Sequence, residues 1–328
     1  MNHYKHLTIE EREKLFFFAA KGENLSRIAK RLGRSRSTIY REYARNANRK
    51  AEYLPSTAQQ QYEMRRQRCR RRTKLQDPEI LALVKDRILN HQWSPEQIAG
   101  WLRLNREEQY ISYTTIYRAI YAGMFDTPQH RSQHQKGGMR KHLRHKGKRR
   151  HTKDFNDRRG KTSIDHEIDE RPQEANDRSR IGDWEADTVA GKLGGPCLIT
   201  LVDRKSGYLL CKKVPNKKPK EVAEGMIELL KSVPCKSVTP DRGHEFDHYR
   251  DVTAELGVLF YFARPHHPWQ RGTNENTNGL LREYFPKQTD LSNISDDWIQ
   301  CKVRELNLRP RKRLGFKSPL DIFLLHLT

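Results

Sequence analysis

The chain has 328 residues and a formal net charge of +23, with 64 Lys and Arg against 41 Asp and Glu. That length suggests two or three domains with real cores, and that charge points to a polyanion, nucleic acid first, because Lys and Arg release the counterions condensed on phosphates. The early apolar run at residues 15–20 is far short of a membrane span, and the N-terminus carries no signal-peptide pattern. Five scattered cysteines without a Cys-x-x-Cys pair argue against a disulfide framework or a zinc site and fit a reducing, intracellular compartment. The excess charge is uneven: residues 1–170 hold 38 basic against 20 acidic residues, and residues 171–328 hold 26 against 21.

In chain order, Thr8 is placed to cap a helix starting at Ile9, with acids in its first turns where the helix dipole favours them. A short helix over residues 25–32 follows, then Gly33 as a tight turn, then a third helix over residues 35–44 with Ile39 and Tyr43 facing inward. A small Ala29 at the crossing, Gly in the turn and a polar, basic second helix form the helix-turn-helix pattern, rather than a plain three-helix bundle. Arg34, Arg36, Ser37, Thr38 and Arg41 are the expected DNA-facing residues. Residues 65–74 are a basic run, of a kind that stays disordered until it meets phosphate.

A second helix-turn-helix is expected at residues 94–121. Ser94-Pro95-Glu96-Gln97 has a capping Ser, Pro in the first turn and a capping-box Gln. After a polar loop, a helix from Ser112 through Tyr121 presents Tyr113, Thr114, Thr115 and Arg118 to DNA. A further basic run at residues 136–150, with little apolar content, reads as a linker or as an arm that tracks the DNA backbone.

Beyond residue 180 the pattern changes to strands. Residues 183–190 alternate, 197–202 form a continuous apolar run suited to a buried strand, and 208–214 return after an Arg-Lys-Ser-Gly turn. A helix over 218–232, a short strand at 237–239, a helix over 247–256, a strand over 258–263 and a helix capped by Thr273 or Asn274 complete the order. That order matches the ribonuclease-H-like fold, in which strand-end carboxylates meet one from a nearby helix. Cutting a phosphodiester requires such a cluster. Two Mg²⁺ ions about 3.5–4 Å apart stabilise the in-line transition state and activate a water or a 3′-hydroxyl, and Mg²⁺ prefers carboxylate oxygens.

The catalytic half resembles the insertion-sequence-30 family of bacterial DDE transposases. The residues that carry the resemblance are Gly182-Asp183-Trp184-Glu185-Ala186-Asp187, Asp241-Arg242-Gly243-His244-Glu245-Phe246 and the stretch from Pro265 to Arg282 containing Trp269-Gln270-Arg271-Gly272-Thr273-Asn274-Glu275. Thirty-three residues separate Asp241 from Glu275, the family's spacing, and the close from Leu308 to Pro319 is similar too. The resemblance implies that Asp187, Asp241 and Glu275 are the catalytic residues and ligate two Mg²⁺, for which Mn²⁺ can substitute. By position alone, Asp183 and Glu185 share a strand face with Asp187 and are alternatives to it. Arg282, seven residues after Glu275, shares its helix face and resembles the basic residue that holds a DNA phosphate. Trp269 and Arg271 either touch the scissile strand or serve packing and capping. Asp203 reads as structural and Glu245 as supporting.

The expected organisation is multidomain: all-α helix-turn-helix domains followed by an α/β ribonuclease-H-like, retroviral-integrase-like catalytic domain. The boundaries are a first DNA-binding domain at 1–50, a basic linker at 51–76, a second DNA-binding domain at 77–125, a basic linker or arm at 126–178, and the catalytic domain with a helical end at 179–328. The resemblance implies strand cleavage and transfer through a circular intermediate on double-stranded DNA, both terminal inverted repeats and target. It also implies a homodimer or higher oligomer and a cytoplasmic, nucleoid-associated bacterial setting, with no membrane. Two rival readings are a silent relative that occupies the ends and a nuclease without joining activity.

Overall fold

The computed structural model describes residues 5–47, 53–69, 74–126, 138–139, 143, 164–265 and 267–327. The chain divides into two compact units, Met1–Gln76 and Asp77–Thr328. Most of the basic run at 136–150 lies outside the described residues, as do residues 70–73 of the earlier one.

The first unit contains α1 (Ile9–Ala20), α2 (Leu25–Arg31), α3 (Arg36–Asn46) and α4 (Pro55–Arg68). Thr8 and Glu11 close a capping box at the start of α1. Asn24 and Ser35 cap α2 and α3 through their side chains. Gly33 turns the chain between α2 and α3 at φ +60°, a conformation that costs a side-chain-bearing residue energy. Leu15, Ile28, Ala29, Ile39, Tyr53 and Ala58 form the core. Arg12 is buried within this unit and donates to Glu42 (2.7 Å), the Leu7 carbonyl (2.7 Å) and Gln59 (2.6 Å).

α4 corrects the expectation for residues 51–76. Part of the stretch read as a basic linker is a helix whose Ala58 is buried against the first three helices. Residues 65–68 of the basic run form its last turn, where the helix dipole favours cations. The run's charge masked a helix that has few apolar residues to announce it.

The second unit begins with α5 (Pro78–Leu89), α6 (Pro95–Asn105) and α7 (Tyr113–Tyr121). Ile80, Val84 and Ile88 of α5 recur at helical spacing and are buried. The Ser94–Gln97 capping box opens α6, and Ser112 caps α7. After the short α8 (Gln173–Asp177) come β1 (Asp183–Ala190), β2 (Cys197–Asp203), β3 (Leu209–Val214), α9 (Pro219–Leu230), β4 (Ser237–Thr239), α10 (Tyr249–Leu256) and β5 (Leu259–Phe260). The chain continues through α11 (Gly272–Tyr284), α12 (Asp296–Leu308) and α13 (Pro319–Leu325). No helix among the described residues is long and apolar enough to cross a membrane.

The sheet order is β3-β2-β1-β4-β5. β1, β2 and β3 are antiparallel neighbours, whereas β4 runs parallel to β1 and β5 parallel to β4. A meander followed by two parallel crossovers, with the first strand central, is the ribonuclease-H-like fold. One sheet face packs Trp184, Ala186, Ile199 and Leu201 against α9 and α10. The other packs Val189, Leu198 and Val202 against α11 and α12. Side chains alternate along a strand, so Asp183, Glu185 and Asp187 share the α11 face with Val189.

Candidate active site

Of the three acids on β1, two are consumed inside the protein. Asp183 accepts from Arg180 Nε at 2.9 Å and from Ser237 Oγ at 2.6 Å. Glu185 is fully buried, pairs with Arg204 and accepts from the Asn274 backbone N–H at 2.8 Å. Buried charges survive when paired and hydrogen-bonded like this. Asp187, nearer the end of the strand, keeps 27% of its side chain exposed. Asp203 is structural, accepting from Gly182 N and from Ser206 at the β2–β3 hairpin.

The parallel register of β1 and β4 carries the strand ends to the same edge. Glu185 lies opposite Thr239, so Asp187 and Asp241 stand two positions further along on neighbouring chains. Asp241 follows Pro240 just past the strand end, where a missing N–H costs no ladder bond. Its Oδ1 accepts from Gly243 N at 2.9 Å. A Cβ added at Gly243 would stand 2.8 Å from that oxygen and 2.5 Å from Glu245 Oε2, so a side chain there would push both carboxylates out of their present positions. Glu245 is in turn held by Lys217 at 2.5 Å and Thr188 Oγ1 at 3.1 Å.

One cation bridges the two aspartates. Arg271 Nη2 donates to Asp241 Oδ2 at 2.8 Å, and its Nη1 lies 3.6 Å from Asp187 Oδ2. Nη1 also donates to the Ala186 carbonyl at 2.9 Å, which fixes the guanidinium across the strand ends. Asn278 of α11 donates to Asp187 Oδ2 at 3.1 Å, and Thr188 N donates to Oδ1 at 2.8 Å. Burial raises the Asp187 carboxyl above its ordinary pKa; Arg271 works against that shift, while Asp241 and Glu245 add to it. The two aspartates therefore form a site that needs positive charge.

Glu275 is exposed in the first turn of α11. It lies three residues before Asn278, which bonds Asp187, and seven before Arg282, spacings that put the three near one side of the helix. Burial pulls the Arg282 guanidinium below its ordinary pKa and Asp187 opposes this, which places Arg282 in the same electrostatic neighbourhood. Among the described residues no three His, Cys, Asp or Glu side chains are grouped so as to hold a metal ion. Arg271, not Glu275, completes the pair of aspartates. The donor set nonetheless suits a hard divalent cation: carboxylate oxygens from two strand ends converge on a cationic group, and Asn278 Oδ1 is buried with no hydrogen-bond partner. The expected cap of α11 is corrected. The helix starts at Gly272, and Asn274, inside its first turn, instead bonds the Glu185 carbonyl through Nδ2 at 3.1 Å. Trp269 is 69% exposed beside His267, with ring centroids 4.5 Å apart.

The expected DNA-facing side chains lie on α3, just before it, and on α7. Arg36, Ser37 and Arg41 are exposed, and Thr38 bonds the capping Ser35 through its hydroxyl at 2.7 Å. Arg34 differs from these: it is forked onto Glu11, at 2.8 and 3.0 Å, and donates to the Lys5 carbonyl. Tyr113, Thr114 and Arg118 are exposed on α7, and Thr115 bonds Ser112. Sequence reading passed over Tyr40, exposed on α3 beneath Arg36, and Tyr117 and Tyr121, which extend Tyr113 into an aromatic row along α7.

A helix-turn-helix domain family matches residues 3–46, which span α1 to α3. Over the whole chain, the transposase of insertion sequence element IS1086 from Cupriavidus metallidurans is 36% identical across 97% of this chain and 94% of its own length. Transposase InsI of IS30A from Escherichia coli is 38% identical across 97% of this chain and 83% of its own. The chain belongs to the insertion-sequence-30 family of transposases. The IS4351 transposase of Bacteroides fragilis, 34% identical across 97% of this chain and 95% of its own, is a further relative. The catalytic core domain of BIV integrase shares 18% identity and a TM-score of 0.35 over 44% of this chain and 94% of its own.

Within this transposase's candidate active site, Asn278 and Arg204 were also missed from the sequence. Asn278 had a signal, since it sits one turn after Glu275 on the same helix face. Arg204 had none, because it begins an Arg-Lys-Ser-Gly turn that looks solvated in sequence yet buries its guanidinium on Glu185.

Proposed function

We propose that this transposase binds the terminal inverted repeats of its element and cuts and rejoins DNA with Asp187, Asp241 and Glu275 as the carboxylates that hold two Mg²⁺ or Mn²⁺ ions. The observation that carries the reading is the pair of aspartates, delivered by adjacent parallel strand ends and bridged by a single guanidinium. When bound, the divalent cations polarise the scissile phosphate and lower the pKa of the attacking water or 3′-hydroxyl. Asp187 and Asp241 hold their oxygens on one edge of the sheet, and Glu275 approaches from α11. Asn278 holds Asp187 Oδ2 in place from the same helix. Arg271, displaced from the aspartates, and Arg282 neutralise phosphates of the scissile strand, and exposed Trp269 lies against it. The side chains of α3 and α7 read the end sequence, with Arg36, Arg41 and Arg118 supplying phosphate or base contacts. Arg34 contributes by fixing the α2–α3 turn on α1 rather than by touching a base.

In this reading the cleaved 3′-hydroxyl attacks a second phosphodiester, through a circular intermediate with abutted ends. Two ends must meet, so the working form is a dimer or larger assembly inside the bacterial cell, at the nucleoid. The test is Asp241→Asn, which removes a charge and keeps the shape. Gel-shift of end DNA should be unchanged, while Mg²⁺-dependent nicking should fall by three orders of magnitude or more, about 4 kcal/mol in barrier. Normal nicking by this variant would overturn the carboxylate assignment.

A further inference from the structure

A single buried arginine joins the helix that carries Glu275 to the helix pair α6–α7. Arg309 follows α12 and is 4% exposed at its side chain. Its Nη1 donates to Glu283 Oε2 on α11 at 2.8 Å, eight residues after Glu275. Its Nε donates to Gln97 Oε1 on α6 at 3.0 Å, and its Nη2 donates to the Gln92 carbonyl in the turn between α5 and α6. Gln97 is doubly committed, because its Nε2 donates to the Pro310 carbonyl at 2.9 Å while its Oε1 also serves the α6 capping box.

A second contact reinforces the first. A Cβ built on buried Gly100 of α6 would stand 2.2 Å from Phe316 Cγ, so the phenyl ring occupies the room that only glycine leaves. Phe316 itself holds φ +66°, a left-handed conformation that a non-glycine residue keeps only where its surroundings fix it. Lys312 and Glu96 add an exposed ion pair at 3.4 Å. A guanidinium fork is planar and directional, so it fixes orientation as well as distance.

We propose that Arg309 is a positioning residue: together with Phe316 seated on Gly100, it sets the reach from the DNA-reading helix α7 to the carboxylates and so selects which phosphodiester bond is cut. The proposal rests on the transposase reading above. Successive phosphates on one strand are about 3.4 Å apart along the axis. A displacement of α6–α7 by the width of one side chain is therefore enough to bring the neighbouring bond to Asp187 and Asp241. Arg309 touches none of the reacting groups. Its effect is on where cleavage occurs, which a general loss of stability would leave unchanged.

The probe is an end-labelled duplex carrying the element's own terminal repeat, incubated with the full chain and Mn²⁺, with nicks mapped at nucleotide resolution. Wild type should cut one bond. Arg309→Gln and Gly100→Ala should each raise cleavage at the adjacent bonds at least about tenfold relative to the main one, equivalent to 1.4 kcal/mol of lost discrimination. Arg309→Lys, which keeps charge on Glu283 without the fork, should fall between. Gln97→Met leaves the Arg309–Glu283 pair intact and should scatter the nicks as well, so the proposal survives or fails even if Arg309→Gln does not fold. If every variant that folds cuts the wild-type bond alone, at whatever rate, the positioning role is overturned. A wild-type chain that binds the duplex and never nicks it overturns the functional reading, and this proposal with it.

Discussion

Arg271 is the most exposing residue to perturb, because it makes opposite predictions with and without a divalent cation. In the absence of metal it neutralises two carboxylates, at 2.8 and 3.6 Å. At an effective dielectric of 20 the gross attractions are about 6 and 5 kcal/mol, and desolvation offsets most of that. Asp187 and Asp241 remain 27% and 33% exposed and Arg271 14% exposed, so the net worth lies between a surface pair and a buried one, about 1–2 kcal/mol. Arg271→Ala removes this and leaves the two aspartates repelling each other. In EDTA the variant should unfold about 3–6 °C below wild type. All five tryptophans (Trp93, Trp101, Trp184, Trp269, Trp298) lie in the Asp77–Thr328 unit, so tryptophan fluorescence reads that unit selectively. Mg²⁺ or Mn²⁺ should return most of the lost stability to Arg271→Ala and shift wild type less, because in wild type the cation first displaces the guanidinium. Equal melting in EDTA, or equal metal-induced shifts, would refute the idea that Arg271 occupies the cation position.

The other perturbations separate structural roles from DNA contacts. Arg204→Met leaves Glu185 charged in a dry core and should cost about 3–5 kcal/mol in urea unfolding, whereas a nearly neutral result would refute the buried pair's role. Glu11 is held below its ordinary pKa chiefly by Arg34, so the pair's stabilisation is full above the unfolded glutamate value of 4.5 and lost as pH falls through the depressed folded value. Arg34→Ala should therefore cost about 0.5–1 kcal/mol at neutral pH and flatten that acid-side loss, an effect that acid titration of melting would fail to show if Arg34 were a free DNA contact. Arg41→Ala, by contrast, should leave melting unchanged and weaken end binding, lowering the salt slope of log K by about 1 if its partner is a phosphate.

Much of the architecture was legible because its signals are local. Thr8 and Ser94 cap helices where the sequence placed them, Ser112 stands at the start of α7 as expected, and β1 and β4 have the expected limits. α4 was not legible, since its helix is polar and held largely by Ala58 and Tyr53 packing on partners distant in sequence. The cap of α11 misled for a related reason: Thr273 and Asn274 are good capping residues, but Asn274 is claimed by Glu185 and Thr200 from the sheet. Local propensity loses where a tertiary partner offers a buried hydrogen bond.

The choice among the β1 acids shows the same logic at the site. Strand alternation alone left Asp183, Glu185 and Asp187 equivalent. What divides them is counter-charge: Arg180 and Ser237 satisfy the first, Arg204 and Asn274 the second, and both are closed to solvent. Asp187 is the acid for which the fold supplies a cation from the 268–271 turn, adjacent to the exposed Trp269, rather than from the sheet's own interior. A counter-ion on such a turn can leave when a stronger cation and a phosphate arrive together, whereas Arg204, bonded to the Ala175 carbonyl as well as to Glu185, has no exit. In the proposed metal-dependent reading, the same electrostatic demand is met by a buried partner at Glu185 and by a replaceable one at Asp187, the distinction such a site requires of neighbouring carboxylates on one strand.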